Sequence, residues 1–269
     1  MGRIMFSIVV VCLNEGERLK AVIENIRRQT YADYEIIVKD GLSKDGSIEE
    51  LPADERIKVY RLEDTGIYDA MNQAVKEIKG DYVYFLNCGD AFYREDVLQR
   101  VAKQIKEYPR RRENVVFYGD ILEKITGERV SSNPHMDAFG CYRNVPCHQA
   151  CFYSAELMRR KGFDLKYHVR ADYEHFLWCF FEGEADTVYM PFLIADYEGG
   201  GFSETKENRK RSEAEHKEIV KKYMSSGQVL KYRALMILSL APLRTCISRY
   251  KVTAHIYNKL KALVYKRQE

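Results

Sequence analysis

The sequence predicts an α/β fold with a Rossmann-like, mostly parallel sheet and helices on both of its faces, plus a helical C-terminal extension. Apolar, β-branched runs alternate with segments of helical spacing over about the first 110 residues, as in successive βαβ units. Apolar residues make up 46% of the 269 residues and aromatic residues 12%, which is enough for a sizeable core.

The first half supplies the parallel part of the sheet. Residues 4–13 form one continuous apolar run, as expected of a strand buried on both faces. The other predicted strands are 34–39, 57–62 and 82–86, and the helices between and after them are 16–29, 67–79 and 94–108. Ligands of such sheets bind beyond the carboxyl ends of the strands, so the residues that follow each strand are candidates for a site.

The second half departs from this alternation. A turn at Thr126-Gly127 predicts a hairpin of residues 115–124 and 128–131. Further strands are expected at 149–153, 186–190 and 193–197, helices at 155–161, 171–181 and 205–223, and a mobile loop at the three glycines 199–201.

Charge is unevenly distributed, although the net charge is only +3. Residues 221–269 contain 11 Lys and Arg and one acidic residue, whereas residues 1–220 contain 32 basic and 39 acidic residues. In the tail, Ile256, Leu260, Leu263 and Val264 recur at helical spacing between Lys259, Lys261, Lys266 and Arg267. This pattern predicts a basic amphipathic helix on an anionic membrane surface. A helical cap on the domain and a homodimer contact are the alternatives.

The seven cysteines favour reduced thiols, because their number is odd and most lie in apolar runs. A zinc site is the alternative, because four possible ligands lie close together in the sequence: Cys141, Cys147, His148 and Cys151. Their spacing lacks the paired C-x₂-C pattern of structural zinc sites, which favours packing. No apolar stretch reaches the roughly 20 residues that a membrane span needs.

Acidic residues occur at three places where a site would form. Asp40 ends the second strand and opens a loop with two glycines. Asp90 follows the fourth strand in Asn87-Cys88-Gly89-Asp90, and such a carboxylate can hold Mg²⁺ or Mn²⁺ together with phosphate oxygens. Asp172 opens the helix at 171–181, where the helix dipole favours its ionised form. Each residue taken alone is equally well explained as a turn or capping residue.

The order and spacing of these motifs resemble those of the family-2 glycosyltransferases with the GT-A fold, bacterial surface-polysaccharide enzymes in particular. The resembling segments are 6–15, 29–31, 35–47, 66–72, 80–90, 147–150, 171–173 and 197–203. The resemblance implies an inverting hexosyl- or N-acetylhexosaminyltransferase. Its expected donor is a nucleotide-diphosphate sugar, with UDP as the usual nucleotide, and its acceptor a glycan or lipid-linked saccharide. It would work at the cytoplasmic face of the membrane.

The resemblance also implies a division of the chain. Residues 1–225 would form the GT-A domain, with a nucleotide-binding half at about 1–110 and an acceptor half at 111–225. Residues 226–269 would form the basic tail.

Individual roles follow from the resemblance in the same way. The nucleotide-binding residues would be Val11, Leu13, Asn14, Glu15, Asp40, Asp69, Asn72 and Asn87. Asp90 would bind Mn²⁺ or Mg²⁺, although one acid stands here where the family usually has two. Asp172 would be the general base, with Glu174 as a less favoured alternative because residues i and i+2 do not share a helix face. His148, Gly200 and Gly201 would contact the acceptor or form a lid over the donor.

Three other functions fit the sequence less well. A dinucleotide-binding dehydrogenase needs Gly-x-Gly-x-x-Gly after the first strand, where this chain has residues 12–17, Cys-Leu-Asn-Glu-Gly-Glu. A nucleotidyltransferase needs a basic, glycine-rich phosphate loop there. A catalytically inactive sugar- or nucleotide-binding protein on the same fold is the remaining alternative, and Asp40, Asp90 and Asp172 argue against it. Nothing in the sequence predicts a nucleic-acid partner.

Overall fold

A nine-stranded sheet runs through the residues that the computed structural model describes, which are 3–109, 114–199 and 205–238. Its strands are β1 (Phe6–Cys12), β2 (Tyr34–Asp40), β3 (Ile57–Arg61), β4 (Tyr82–Phe85), β5 (Ala91–Phe92), β6 (Val115–Glu123), β7 (Glu128–Val130), β8 (Cys151–Ser154) and β9 (Asp186–Tyr197). The spatial order is β3-β2-β1-β4-β8-β6-β9-β5, and β7 pairs with β6.

Strand direction divides this sheet into two regions. Strands β1 to β4 are parallel to one another, β8 is antiparallel to both β4 and β6, and β9 runs parallel to β6. The predicted α/β class and its parallel half are therefore confirmed.

Helices cover both faces of the sheet. They are α1 (Glu17–Arg27), α2 (Ile67–Val75), α3 (Val97–Glu107), α4 (Ala138–Arg143), α5 (Ala155–Arg160), α6 (Ala171–Phe181), α7 (Lys206–Tyr223) and α8 (Ser226–Leu238). Alternate residues of β1 point to opposite faces. Ile8 and Val10 share a core with α1 and α3, whereas Val9 and Val11 share one with α2 and α6. This explains why β1 is apolar at almost every position.

The structure corrects the prediction in β9 and in two short elements. Residues 186–197 form one strand with two register shifts against β6, not two separate strands. Pro191 lies at this irregularity, where its missing N–H interrupts the ladder. Two short elements were not predicted, β5 with two residues and α4 with six, because neither is long enough to show a hydrophobic period.

The C-terminal extension is helical over α8, and residues 239–269 lie outside the described residues. None of the described helices is both long and apolar enough to cross a membrane.

A buried carboxylate joins α6 to α7. Glu174 is fully buried and accepts hydrogen bonds from Lys161 Nζ at 2.6 Å, Lys222 Nζ at 2.6 Å and Tyr223 Oη at 2.5 Å. Burial raises the pKa of Glu174, but these hydrogen bonds outweigh burial and hold that pKa below its usual value. The carboxylate therefore stays ionised and ties the two helices together.

Glu174→Gln should destabilise the fold, because it removes the anion between two lysines and keeps the shape of the side chain. We expect a loss of roughly 2–4 kcal/mol in the free energy of unfolding, somewhat below the cost of breaking a fully buried pair because Lys222 is partly exposed. Urea denaturation measures it. The control, Glu213→Gln on the exposed side of α7, should change stability by less than about 0.5 kcal/mol. Equal stabilities of the two variants would contradict this role.

Candidate functional site

A cavity of about 930 Å³ opens beyond the carboxyl ends of β1 and β4. Val11 from β1 and the turn at residues 87–90 after β4 line one end, together with Glu15 and Arg18. The start of α6, including Asp172, lines the other end. Its position agrees with the expectation that ligands of a parallel sheet bind beyond the carboxyl ends of the strands.

The structure brings some of the predicted site residues together and separates others. The predicted residues that line this cavity are Val11, Glu15, Asn87, Asp90, His148 and Asp172. Those that do not line it are Leu13, Asn14, Asp40, Asp69, Asn72 and Glu174. Gly200 and Gly201 lie outside the described residues.

The turn after β4 presents oxygen atoms to the cavity. Asp90 is 6% exposed, and its Oδ1 accepts a hydrogen bond from the backbone N–H of Glu198 at 2.8 Å. Burial raises the pKa of Asp90 to about 6. The buried Oδ1 of Asn87 has no hydrogen-bond partner among the described residues. A buried acceptor without a donor is costly, and because Asn87 lines the cavity, a bound ligand would satisfy it.

Two cations flank the same turn. Arg18 donates to the carbonyl of Cys88 at 2.9 Å and to the Glu198 carboxylate at 2.5 Å, and Lys124 donates to the carbonyl of Gly89 at 2.9 Å. Gly89 has φ of 100°, and a Cβ there would lie 2.3 Å from Arg18 Nη2. Glycine is therefore required for the backbone to approach these side chains.

Asp172 is held at the start of α6 by two other helices. Tyr68 Oη, from α2, lies 3.0 Å from Asp172 Oδ1 and 3.1 Å from the carbonyl of Val169. Burial, and then the Asp172 charge, raise the pKa of Tyr68 well above its usual value, so Tyr68 remains a hydrogen-bond donor. From α7, Glu215 accepts the backbone N–H groups of residues 168–170 at 2.9–3.0 Å. This fixes the segment that leads into α6.

His148 lies in the cavity wall as a neutral ring. It stacks on Phe85 with ring centroids 5.0 Å apart. Burial lowers its pKa, and neither ring nitrogen has a hydrogen-bond partner among the described residues. A neutral imidazole with free nitrogens can donate one hydrogen bond and accept another, which suits a sugar hydroxyl.

Asp40 does not line the cavity in this structure. Its side chain is fully buried, and its carboxylate accepts from Ser43 Oγ at 2.5 Å and from Arg61 Nε at 3.0 Å. These hydrogen bonds hold the loop after β2 in place. The predicted contact of Asp40 with a nucleobase stays a prediction.

Asp69 and Asn72 also make hydrogen bonds within the fold, and their predicted contact with the nucleotide stays a prediction. Asp69 accepts the backbone N–H of Thr65 at 2.9 Å before α2, and that hydrogen bond lowers its pKa. Asn72 donates to the carbonyl of Phe163 at 2.8 Å and accepts its N–H at 2.7 Å. It fastens α2 to the segment before α6, and Asp69 supports the start of α2.

The remaining predicted residues do not line the cavity. Asn14 Oδ1 accepts the N–H of Lys44 at 2.9 Å, and the Leu13 side chain is 54% exposed. Asn14 thus joins the turn after β1 to the loop after β2. Glu174 pairs with Lys161 and Lys222 and does not line the cavity, whereas Asp172 does, which favours Asp172 as the base.

The cysteine cluster shows ordinary packing contacts. The thiol of Cys147 lies 3.2 Å from Gln149 Oε1, and the thiol of Cys151 lies 3.3 Å from the carbonyl of Cys147. The six cysteines of the described residues are free thiols. Within residues 3–109, 114–199 and 205–238 no three His, Cys, Asp or Glu side chains are grouped to hold a metal. A metal ion held by the oxygen atoms of the turn after β4 would therefore need further ligands from the substrate.

Sequence reasoning missed Arg18, Tyr68, Glu198 and Glu215. Tyr68 lies within the Gly66–Asn72 motif, so the motif itself could have signalled it. Arg18 follows Glu15 by one helical turn, at an ion-pair distance of 3.5 Å. Glu215 lies more than 40 residues after α6 begins, and no local pattern connects it to Asp172.

Comparison with known proteins gives the family. Residues 7–166 match Glycosyl transferase family 2. A PGL/p-HBAD biosynthesis glycosyltransferase of Mycobacterium tuberculosis is 36% identical over 212 residues, which cover 76% of this chain and 81% of that protein. An uncharacterized glycosyltransferase of the same species is 29% identical over 202 residues, covering 72% of this chain and 76% of that one.

Solved structures share the fold at low sequence identity. The mannosyltransferase PcManGT from Pyrobaculum calidifontis, in complex with GDP-Man and Mn²⁺, superposes with a TM-score of 0.65 at 14% identity over 98% of this chain and 86% of that one. Residues 1–349 of S. aureus TarS in complex with UDP-GlcNAc give 0.61 at 15% identity, over 81% and 71% of the two chains. The chain belongs to glycosyltransferase family 2, and its sheet and helices form the GT-A fold that its motifs predicted.

Proposed function

We propose that the protein transfers a hexosyl or N-acetylhexosaminyl group, with inversion, from a nucleotide-diphosphate sugar to a glycan or lipid-linked saccharide. One observation carries the proposal: Asp172, positioned by Tyr68, lines the same cavity as the oxygen-rich turn of Asn87 and Asp90. A base for the acceptor and a site for the donor diphosphate thus share one enclosed space. Structural neighbours in complex with UDP and UDP-GlcNAc support a UDP-sugar donor.

The donor would occupy the end of the cavity built by residues 1–110. Val11 and Glu15 line it beside the turn after β4. Asp90 and the unpaired Asn87 Oδ1 are hard oxygen donors, which fit Mn²⁺ or Mg²⁺ when diphosphate oxygens complete the coordination. Such an ion would offset the negative charge of the departing diphosphate. Arg18 lies close enough to add to this effect.

The acceptor would enter from the side built by residues 111–225. Its hydroxyl oxygen bonds to the anomeric carbon while the bond from that carbon to the diphosphate oxygen breaks, and Asp172 takes the hydroxyl proton. His148 would hold a sugar hydroxyl through one of its free ring nitrogens. Gly200 and Gly201 would belong to a lid over the donor.

The alternative is a catalytically inactive sugar- or nucleotide-binding protein on the same fold. A binding protein needs no carboxylate fixed by Tyr68 and Glu215 at the wall of the cavity. Release of nucleoside diphosphate from a panel of nucleotide sugars, with Mn²⁺ present, distinguishes the two and identifies the donor.

Asp172→Asn should lower turnover by about 10²–10⁴-fold, because the amide cannot accept the proton. Nucleotide affinity should stay within about twofold by calorimetry, since Asp172 lies at the acceptor end. Glu213→Gln is the control for an exposed acid and should leave turnover unchanged. Near-normal turnover of Asp172→Asn would remove the assignment of Asp172 as the base.

Metal binding should depend on pH through Asp90, whose pKa burial raises to about 6. Above pH 6 the carboxylate is ionised and binds the cation. Below pH 6 protons compete, so Mn²⁺ affinity should fall by about tenfold per pH unit. Calorimetric titration with Mn²⁺ and UDP at pH 5 to 8 measures this. Asp90→Asn should weaken the binding and reduce its pH dependence to that of UDP itself, whose terminal phosphate also titrates at about pH 6. Full transferase activity in excess chelator would show that the reaction needs no metal.

We also propose that the tail, residues 226–269, holds the enzyme at the inner face of the cell membrane. Tyr232 of α8 packs against Phe139 and Tyr142, whereas Leu230 and Ile237 are 71% and 62% exposed. These apolar side chains are followed by the basic segment 239–269. Apolar contact together with basic charge is the combination that binds anionic lipid surfaces.

Vesicle co-sedimentation tests the tail. The full-length protein should pellet with vesicles of one part phosphatidylserine and two parts phosphatidylcholine, but not with pure phosphatidylcholine. Binding should weaken at 0.5 M NaCl, where charges are screened beyond about 4 Å. A chain that ends at Leu238 keeps Tyr232 and should bind much more weakly. Protein that remains in the supernatant at low salt would instead point to a cap or a homodimer contact, which analytical ultracentrifugation separates.

A further inference from the structure

The two ends of the cavity carry opposite charge. Acidic side chains line the donor end, where Arg18 is the basic residue and is paired with Glu198. Three arginines, Arg143, Arg170 and Arg209, line the acceptor end, and Arg170 precedes Asp172 by two residues. The wall that faces an incoming acceptor is therefore cationic, apart from the carboxylate that would take the proton.

Hydrogen bonds assemble this wall from three helices. Tyr173 Oη, in α6, donates to the carbonyl of Cys141 in α4 at 2.7 Å. His216 Nε2, in α7, lies 3.0 Å from the carbonyl of Tyr142. These contacts place the end of α4, which carries Arg143, against α6 and α7.

Arg170 connects the start of α6 to α7. Its Nε donates to Ser212 Oγ at 2.7 Å and to the carbonyl of Ser212 at 3.1 Å. Arg209 precedes Ser212 by three residues, so the two share a face of α7. Arg209 is thereby placed beside Arg170 and toward the cavity, which both line.

These arginines differ from most others in the described residues. Arg56, Arg61 and Arg129 each form an ion pair with a carboxylate. Arg143, Arg170 and Arg209 form none with any acid of the described residues. Like charges gathered at one wall repel each other, and an oxyanion between them would remove that repulsion. The guanidinium fork matches both phosphate and carboxylate oxygens.

We infer that the acceptor carries an oxyanion, a phosphate or a carboxylate, which Arg143 and Arg209 bind while the acceptor hydroxyl meets Asp172. Arg170 adds positive charge, but its Nε is engaged by Ser212. The inference rests on the proposed function, in which Asp172 receives the proton. It deepens that function by naming the chemical class of the acceptor. The donor diphosphate is not this anion, because its place is the other end of the cavity, at Asp90.

Titration with small acceptor fragments tests the inference. The protein is first saturated with UDP and Mn²⁺, so that the donor end is filled, and is then titrated by calorimetry with glucose 1-phosphate, glucuronate or glucose. At least one anion should bind, more weakly at 0.5 M NaCl, and glucose should not bind at the same concentrations. The tighter of the two anions decides between phosphate and carboxylate.

Substitutions locate the binding. The double variant Arg143→Gln, Arg209→Gln should weaken anion binding by about 10–100-fold, the scale of one or two charge-assisted hydrogen bonds. Arg209→Lys should restore part of the affinity lost in Arg209→Gln. Lys210→Gln is the matched control, since it neutralises an exposed neighbour on a different face of α7. Thermal unfolding should show that all variants are folded.

Two results would overturn the inference: unchanged anion affinity in the folded double variant, or glucose binding as tightly as the anions. UDP affinity and donor hydrolysis are measured on the same samples. If the unmodified protein neither binds UDP nor hydrolyses the donor, the proposed function is rejected. Whether anion binding depends on the two arginines is measured separately from these two properties. The two failures are therefore distinguishable.

Discussion

The position of one helix start governs the site. Asp172 begins α6, and the segment before it has no regular structure of its own to hold it. Glu215 binds three consecutive backbone N–H groups of that segment, and Tyr68 binds Asp172 itself. If Asp172 takes the acceptor's proton, as proposed, it has to be fixed this firmly, because small displacements sharply reduce proton transfer. The packing of α2 and α7 against α6 thus sets the position of Asp172 at the cavity wall.

Buried polar groups of this fold differ in whether they find hydrogen-bond partners. Asp40, Asp120 and Glu174 are fully buried, and each is held by a cation and at least one further donor. They stabilise a loop, a hairpin and a helix pair. In contrast, the buried Oδ1 of Asn87 and both ring nitrogens of His148 lack partners in the described part of the chain and line the cavity. Because unpaired buried polar atoms are costly, their presence at a cavity wall points to a ligand that completes them.

The charged side chains that line the cavity differ between its two ends. At the proposed donor end, Glu15 and Asp90 line the cavity together with Arg18, and Lys124 lies beside the turn after β4. On the side of the proposed acceptor, the cavity is lined by Arg143, Arg170 and Arg209. An acceptor anion would be attracted to this end and kept away from the acidic donor end, which would orient the acceptor before the reaction. Gly89, with φ of 100°, lets the backbone of the turn after β4 lie close to Arg18 and Glu198.

The sequence by itself determined the α/β class, the strand and helix alternation, the family, and the residues at strand ends that gather at the cavity, such as Asn87 and Asp90. These features depend on local periodicity and on motifs contiguous in the chain. Tertiary structure decided which way each polar side chain faces. Asp40 and Asn72 lie in family motifs but bond to Arg61 and Phe163, and those partners come from other elements. The support from Glu215 and the arginine wall, likewise, arise only when α4, α6 and α7 pack together, because residues far apart in sequence become neighbours only through the fold.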